Sequence, residues 1–174
     1  MTTESHRAAN ETQIRALIDD RTKAVCGKDS VRATSGIAPD ILTFDVVNPL
    51  ENIGSDASRK RAEEWFASFQ GPISYETRDM NITAGDDVAF SHGLCHVSAT
   101  MRDGGQQIDM WWRSTICFRK IDGNWMVTHE HNSVPFDPKS GKASLDLRPY
   151  PYNTDWLYLF ERTLTAARLP NLQD

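Results

Sequence analysis

The chain has 174 residues, of which 39% are hydrophobic and 25% charged, and its net charge is −5. That length and balance suit one globular domain with a sizeable core and exclude a disordered polymer. The acidic balance, without a long basic run, disfavours nucleic acid or an acidic membrane surface as a partner, and no apolar run approaches the roughly 20 residues that span a bilayer.

Cys26, Cys95 and Cys117 are an odd set without metal-ligand spacing, and the opening MTTESHRAANETQ lacks the apolar stretch of a secretory signal. Both point to a reduced, cytoplasmic setting. No internal repeat or low-complexity segment interrupts the chain.

After a loose tail over residues 1–6, the apolar positions Ile14, Leu17, Ile18, Ala24 and Val25 recur at helical spacing, predicting a helix from about His6 to Gly27. Arg21 lies in phase with Leu17, Ile18 and Val25 and therefore should point inward. A short helix is expected over Ser30–Ile37, punctuated by Pro39 and Asp40. A strand over Ile41–Val47 would hold Asp45 in otherwise apolar surroundings, and Asn48–Gly54 reads as a loop. Ser55 or Asp56 can cap a third helix whose face is Ala62, Trp65, Phe66 and Phe69, with Gly71-Pro72 as its stop.

Ile73–Phe136 then reads as sheet, folded into antiparallel hairpins by Gly85-Asp86, Asp103-Gly104-Gly105 and Asp122-Gly123. Alternation separates the faces. On the strand from Val88, the set Val88, Phe90, His92, Leu94, His96 opposes the small set Ala89, Ser91, Gly93, Cys95, Val97. On the next, Ile108, Met110, Trp112, Ser114, Ile116 and Phe118 oppose Asp109, Trp111, Arg113, Thr115, Cys117 and Arg119. The bulkier apolar faces are expected against the helices. On the last strand, Met126, Thr128, Glu130 and Asn132 alternate with Trp125, Val127, His129 and His131, and a β-bulge would swap the sets. Residues 138–174 form an extension ending in an amphipathic helix marked by Trp156, Leu157, Phe160 and Leu164.

With that order of elements in place, Pro39-Asp-Ile-Leu-Thr-Phe-Asp45, the loop ending at Gly54, Trp111-Trp-Arg-Ser-Thr115 and Gly123-Asn-Trp-Met-Val-Thr-His-Glu-His-Asn-Ser133 resemble the SnoaL-like superfamily over about residues 8–137. The resemblance implies the fold of nuclear transport factor 2 and ketosteroid isomerase. This is an α+β, cone-shaped, cystatin-like fold with about three helices on a curved, mostly antiparallel sheet, here with an extra C-terminal helix. The stretch His129–Pro135 is also similar to the association domain of calcium/calmodulin-dependent kinase II. Asp45 falls where ketosteroid isomerases place the aspartate that moves a proton beside a carbonyl. Their oxyanion-hole tyrosine would fall near Arg21, and their second, protonated acid near Ser114–Ile116, where this chain has no carboxylate. Association domains instead assemble subunits and hold small carboxylates against arginines.

The leading expectation is a cofactor-independent enzyme acting on a small apolar, carbonyl-bearing molecule by proton transfer, as in isomerisation, cyclisation or dehydration. Asp45 is the candidate base, with His92 and Glu130 as relay or positioning groups. Arg21 and Asn132 are candidate donors to an oxyanion, and Trp65, Phe90 and Trp112 candidate apolar contacts. Burying either Asp45 or Arg21 alone is expensive, so the two are expected to meet inside one cavity. The alternative is a non-catalytic ligand-binding or assembly domain. No metal is expected: His129 and His131 lie about 7 Å apart along one strand face without an obvious third ligand, and His92 and His96 about 13 Å apart. Trp111, Arg113, Thr115, His129 and His131 are expected to meet a second copy of the chain.

Overall fold

A computed structural model describes residues 3–150, with three helices and six strands among them. The C-terminal helix expected around Trp156–Leu164 lies outside the described residues. Helix α1 spans Thr3–Cys26 and begins within the segment read as a loose tail. The helix α2 is only Ser30–Ala33, capped by the Asp29 carboxylate on the Arg32 N–H. Strand β1, Ile37–Phe44, therefore starts earlier than expected and ends just before Asp45. Pro39 sits inside it, in the stretch where the ladder to the last strand shifts register between Ile37 and Leu42, so its missing N–H breaks no regular pairing.

A two-residue strand β2, Asn52–Ile53, precedes helix α3, Ser55–Ala67. Gly54, with φ 96°, occupies the cap position in place of Ser55 or Asp56. Helix α3 also stops short of the expected Gly71-Pro72 signal. Phe69 already opens strand β3, Phe69–Ala84, and Gly71 with φ 68° lies where β3 slips register between Gln70 and Ser74. The glycine and proline serve a bulge rather than a helix end.

Strands β4 (Val88–Met101), β5 (Gln107–Ile121) and β6 (Asn124–Ser133) follow as antiparallel hairpins at the expected turns. The sheet order is β2-β1-β6-β5-β4-β3, with β1 and β6 parallel, so the sheet is mixed but mostly antiparallel. The helices cover its concave face, where two buried clusters form. One contains Ile14, Ile18, Ile41, Ile116, Phe118 and Val127, the other Ala24, Phe66, Phe69, Ile73 and Val97.

On β5 the inward face is the expected one: Ser114, Ile116 and Phe118 are buried, while Arg113, Thr115 and Arg119 are exposed. On β4 the expectation is reversed. Ala89, Ser91, Cys95 and Val97 are buried, while Val88, Phe90 and His92 face outward. Alternation defines the two sets but not which one faces in. Here small side chains on β4 leave room beneath α1 and the bulky side chains of β5, so bulk alone is a poor guide to the inner face.

Gly93 shows how tight that arrangement is. β3 is bulged between Arg78 and Asn81, with Asp79 at φ 56°, and the bulge presses onto Gly93. A Cβ at Gly93 would lie 3.0 Å from the Arg78 carbonyl oxygen and 3.2 Å from Met80 Cα. Gly93→Ala is expected to cost about 1–3 kcal/mol through overpacking against backbone, read as a lower urea midpoint with an unchanged m-value. An unchanged midpoint would show that the bulge yields freely.

Candidate functional site

The open end of the cone holds a cavity of about 300 Å3. Val25 on α1, Ala62, Trp65 and Phe66 on α3, and Tyr75, Val97, Ile108, Met110 and Trp112 on the sheet give it a mainly apolar wall. Arg21, Asp45, Arg61, Glu130 and Asn132 are set into that wall as polar groups. An apolar hollow with a few convergent polar groups is the common form of a small-molecule site.

Glu130 and Asn132 reach the cavity because of a bulge in β6. Cys117 pairs with His129 and Phe118 with Val127, leaving Thr128 as the extra residue. Trp125 and Val127 face inward before the bulge, and Glu130 and Asn132 after it, so the swap that alternation left open does occur.

Arg21 points inward as its helical phase requires, but its partner is not Asp45. Arg21 Nη2 donates to Glu130 Oε2 at 2.9 Å, and Nε donates to the Ala33 carbonyl at 3.3 Å. Asn132 Nδ2 donates to Glu130 Oε1 at 3.2 Å, and Trp112 Nε1 donates to Asn132 Oδ1 at 3.2 Å. These bonds join the four side chains into one row along the cavity wall. Burial pushes the Glu130 carboxyl upward, but the Arg21 charge and the bonds from Arg21 and Asn132 outweigh it and hold the group below its usual range. Arg21 is correspondingly held above its usual value: burial works against its charge, and Glu130 overcomes that.

Asp45 stands at the end of β1, and its Oδ2 accepts from Arg61 Nη2 at 2.7 Å while its Oδ1 accepts from the Val46 N–H at 2.7 Å. Arg61 Nη1 also donates to the Asn48 carbonyl at 3.1 Å, tying α3 to the loop after Asp45. The expected Asp45–Arg21 pair is thus replaced by two pairs, Asp45–Arg61 and Glu130–Arg21, on one cavity wall. Arg61 is a charged cavity residue that the sequence reading missed. It lies four positions before Trp65 and three after Ser58, so its helical phase already placed it beside an inward face.

Trp65 and Trp112 line the cavity as expected. Phe90 and His92 do not. Their rings stack on each other at 6.4 Å on the outer face of the sheet, because the small side of β4 is the inner one. No relay through His92 can reach Asp45 or Glu130 from there. His129 also turns away from the cavity: its Nδ1 lies 2.8 Å from the Leu42 carbonyl and its ring packs edge-on against Phe44. Tyr75 and Cys95 sit deeper, behind Arg21 and Glu130. Burial pushes the Tyr75 phenol well above its usual value and the Cys95 thiol up to about 11, so neither is poised as a nucleophile or base.

Among the described residues, no group of three or more His, Cys, Asp and Glu side chains could hold a metal ion, and no helix is long and apolar enough to cross a membrane.

The sequence profile of the SnoaL-like domain matches residues 14–137. No protein of curated function matches the chain. A nuclear transport factor 2-like protein of unknown function from Pseudomonas putida KT2440 is 32% identical and superposes with a TM-score of 0.74, covering 82% of this chain and 98% of its own. A nuclear transport factor 2-like superfamily protein from Salmonella enterica serovar Typhimurium LT2 superposes with a TM-score of 0.68 at 15% identity, over 79% and 99% of the two chains. A ketosteroid isomerase-like protein from Erwinia carotovora atroseptica SCRI1043 does so with a TM-score of 0.61 at 17% identity, over 71% and 94%. The last two likenesses concern the fold, a helix-covered curved sheet. The profile match and the Pseudomonas relative go further, and this chain belongs to the SnoaL-like domain family.

Proposed function

We propose that the chain is a cofactor-independent enzyme that moves a proton beside the carbonyl of a small apolar molecule, with Asp45 as the base. The observation that carries this reading is that Asp45 lines a largely apolar cavity that is also lined by a hydrogen-bonded row of donors. A carboxylate offers about four acceptor positions, and the Val46 N–H and Arg61 occupy one on each oxygen of Asp45. The others remain for a substrate proton. Arg21 Nη1 takes no partner among the described residues, and Asn132 commits its amide nitrogen only to Glu130. Both can donate to an oxygen that gains charge as the proton leaves. The aromatic wall supplies affinity and keeps water out. Asp45→Asn is the test: it removes the base while preserving shape, and should slow solvent-deuterium exchange into a bound ketone or enone by about 10²–10⁴-fold.

One observation favours a second reading, a binding domain without chemistry. Both acids in the cavity already face an arginine, which weakens a carboxylate as a base. A broad panel of carbonyl compounds that bind tightly but show no turnover by the unaltered protein would support it.

We further propose a homodimer through the outer face of the sheet. The chain crosses part of that face itself. Arg148 Nη2 lies 3.2 Å from Asp109 Oδ1, and the Tyr150 carbonyl accepts from Arg78 Nη2 at 3.0 Å. His96 bridges beneath, 2.8 Å from Asp109 and stacked on Trp111 at 4.5 Å. Phe90, His92, Arg113, Thr115 and His131 stay exposed beside this strap and are the surface offered to a partner copy. Sedimentation at micromolar concentration should give twice the monomer mass, and Phe90→Glu with Arg113→Glu should shift it toward monomer. A wild-type monomer under those conditions would rule the interface out.

A further inference from the structure

Behind the Arg21–Glu130 pair lies a second, smaller cavity of about 40 Å3, which shares Arg21, Val25, Tyr75 and Glu130 with the main one. Its wall is mostly apolar but includes several polar side chains. Ser114 is 3% exposed, and its Oγ makes no well-formed hydrogen bond among the described residues, its one polar neighbour being the Cys95 thiol. The half-buried Thr22 and Thr77 also line the chamber, and their hydroxyls make no hydrogen bond among the described residues. Thr12, on the same helix as Thr22, does bond back to the Ala8 carbonyl at 2.9 Å, so the helix itself does not prevent that bond at Thr22.

A buried polar group without a good partner is costly, and native proteins rarely leave one so. A chamber of this size has room for an ordered water, which needs two to four polar partners when buried. Volume and chemistry agree here. We propose that the inner chamber is a binding site for a single water molecule that joins the Ser114 hydroxyl to the Glu130 carboxylate, with Thr22 or Thr77 as a third partner. The water donates to Glu130 from the side opposite the substrate cavity and accepts from Ser114. Glu130 is thereby positioned from three sides, by Arg21, Asn132 and the water. The alternative ligand at this depth, the Cys95 thiol, does not compete well, because sulfur is a weak acceptor and its proton a weak donor.

This inference does not depend on the proposed reaction, and its test reads solvent and titration rather than turnover. A crystal structure that resolves ordered solvent should show one peak about 2.7–3.2 Å from both Ser114 Oγ and a Glu130 oxygen. Ser114→Val should fill the chamber and remove the peak. In that variant the Glu130 carboxyl, followed by carbon NMR, should titrate at higher pH than in the unaltered protein, because a donor to its charged form is gone. Ser114→Ala, which leaves the chamber open and is the gentler change, should show a weaker or displaced peak and a smaller upward shift. A chamber without density in the unaltered protein would overturn the proposal. So would a peak that ignores Ser114, or one Glu130 midpoint common to all three proteins.

Discussion

Arg21→Met is expected to destabilise the fold by about 1–3 kcal/mol, below the range for stripping one partner from a fully buried ion pair. The discount follows from the exposure that the Arg21 and Glu130 side chains retain, 20% and 17%. Methionine keeps most of the apolar stem on the α1 stripe, so the loss falls mainly on the stranded Glu130 charge. The pH dependence should reverse as well. In the unaltered protein Glu130 titrates below its ordinary value, so its pairing stabilises the fold above the unfolded value of about 4.3 and is lost as the pH falls through the folded one. In Arg21→Met, burial prevails and lifts the carboxyl. Its contribution is then fully present below about 4.3 and is lost as the pH rises through the raised folded value. Urea titrations between acid and neutral pH on both proteins measure this. Equal slopes would show that Glu130 is not held by Arg21.

Helical phase and strand alternation are local, and they made most of the elements legible. Arg21 faces inward because Leu17, Ile18 and Val25 do, and Ser114, Ile116 and Phe118 sit inside because they share a strand face with Trp112. What escaped was whatever depends on a neighbour distant in sequence. The choice between Asp45 and Glu130 as partner of Arg21 rests on a one-residue bulge at Thr128 and on where α3 delivers Arg61. The placement of Phe90 and His92 on the outer face depends on which side of the sheet the helices cover, which alternation on β4 alone does not encode. Gly71-Pro72 carries the same residues as a helix stop and as a strand bulge. Only the pairing of β3 with β4 distinguishes the two uses.

The position of Asp45 was legible, and its environment was not. Its place in the proposed chemistry now rests on a cavity wall shared with Arg61, Trp65, Asn132 and Glu130 rather than on an encounter with Arg21. Arg61 raises a question that the reaction itself can answer. A guanidinium at 2.7 Å favours the charged carboxylate and makes it a weaker base. A substrate that draws Arg61 away, by offering its own oxygen, would strengthen Asp45 only when bound. Arg61→Met should therefore alter affinity and rate together, whereas Asp45→Asn should leave affinity nearly intact.

Solvent-deuterium exchange by Asp45→Asn tests the central claim most directly. Asparagine keeps the shape and can still accept from the Val46 N–H; it gives up the bond from Arg61 and cannot take a proton, so the transition state suffers most. On a ketone or enone that the unaltered protein turns over, the exchange rate should fall by about 10²–10⁴-fold, the usual worth of a positioned general base, while calorimetry gives nearly the same affinity. Exchange by Asp45→Asn at the undiminished rate would contradict the assignment of Asp45 as the base.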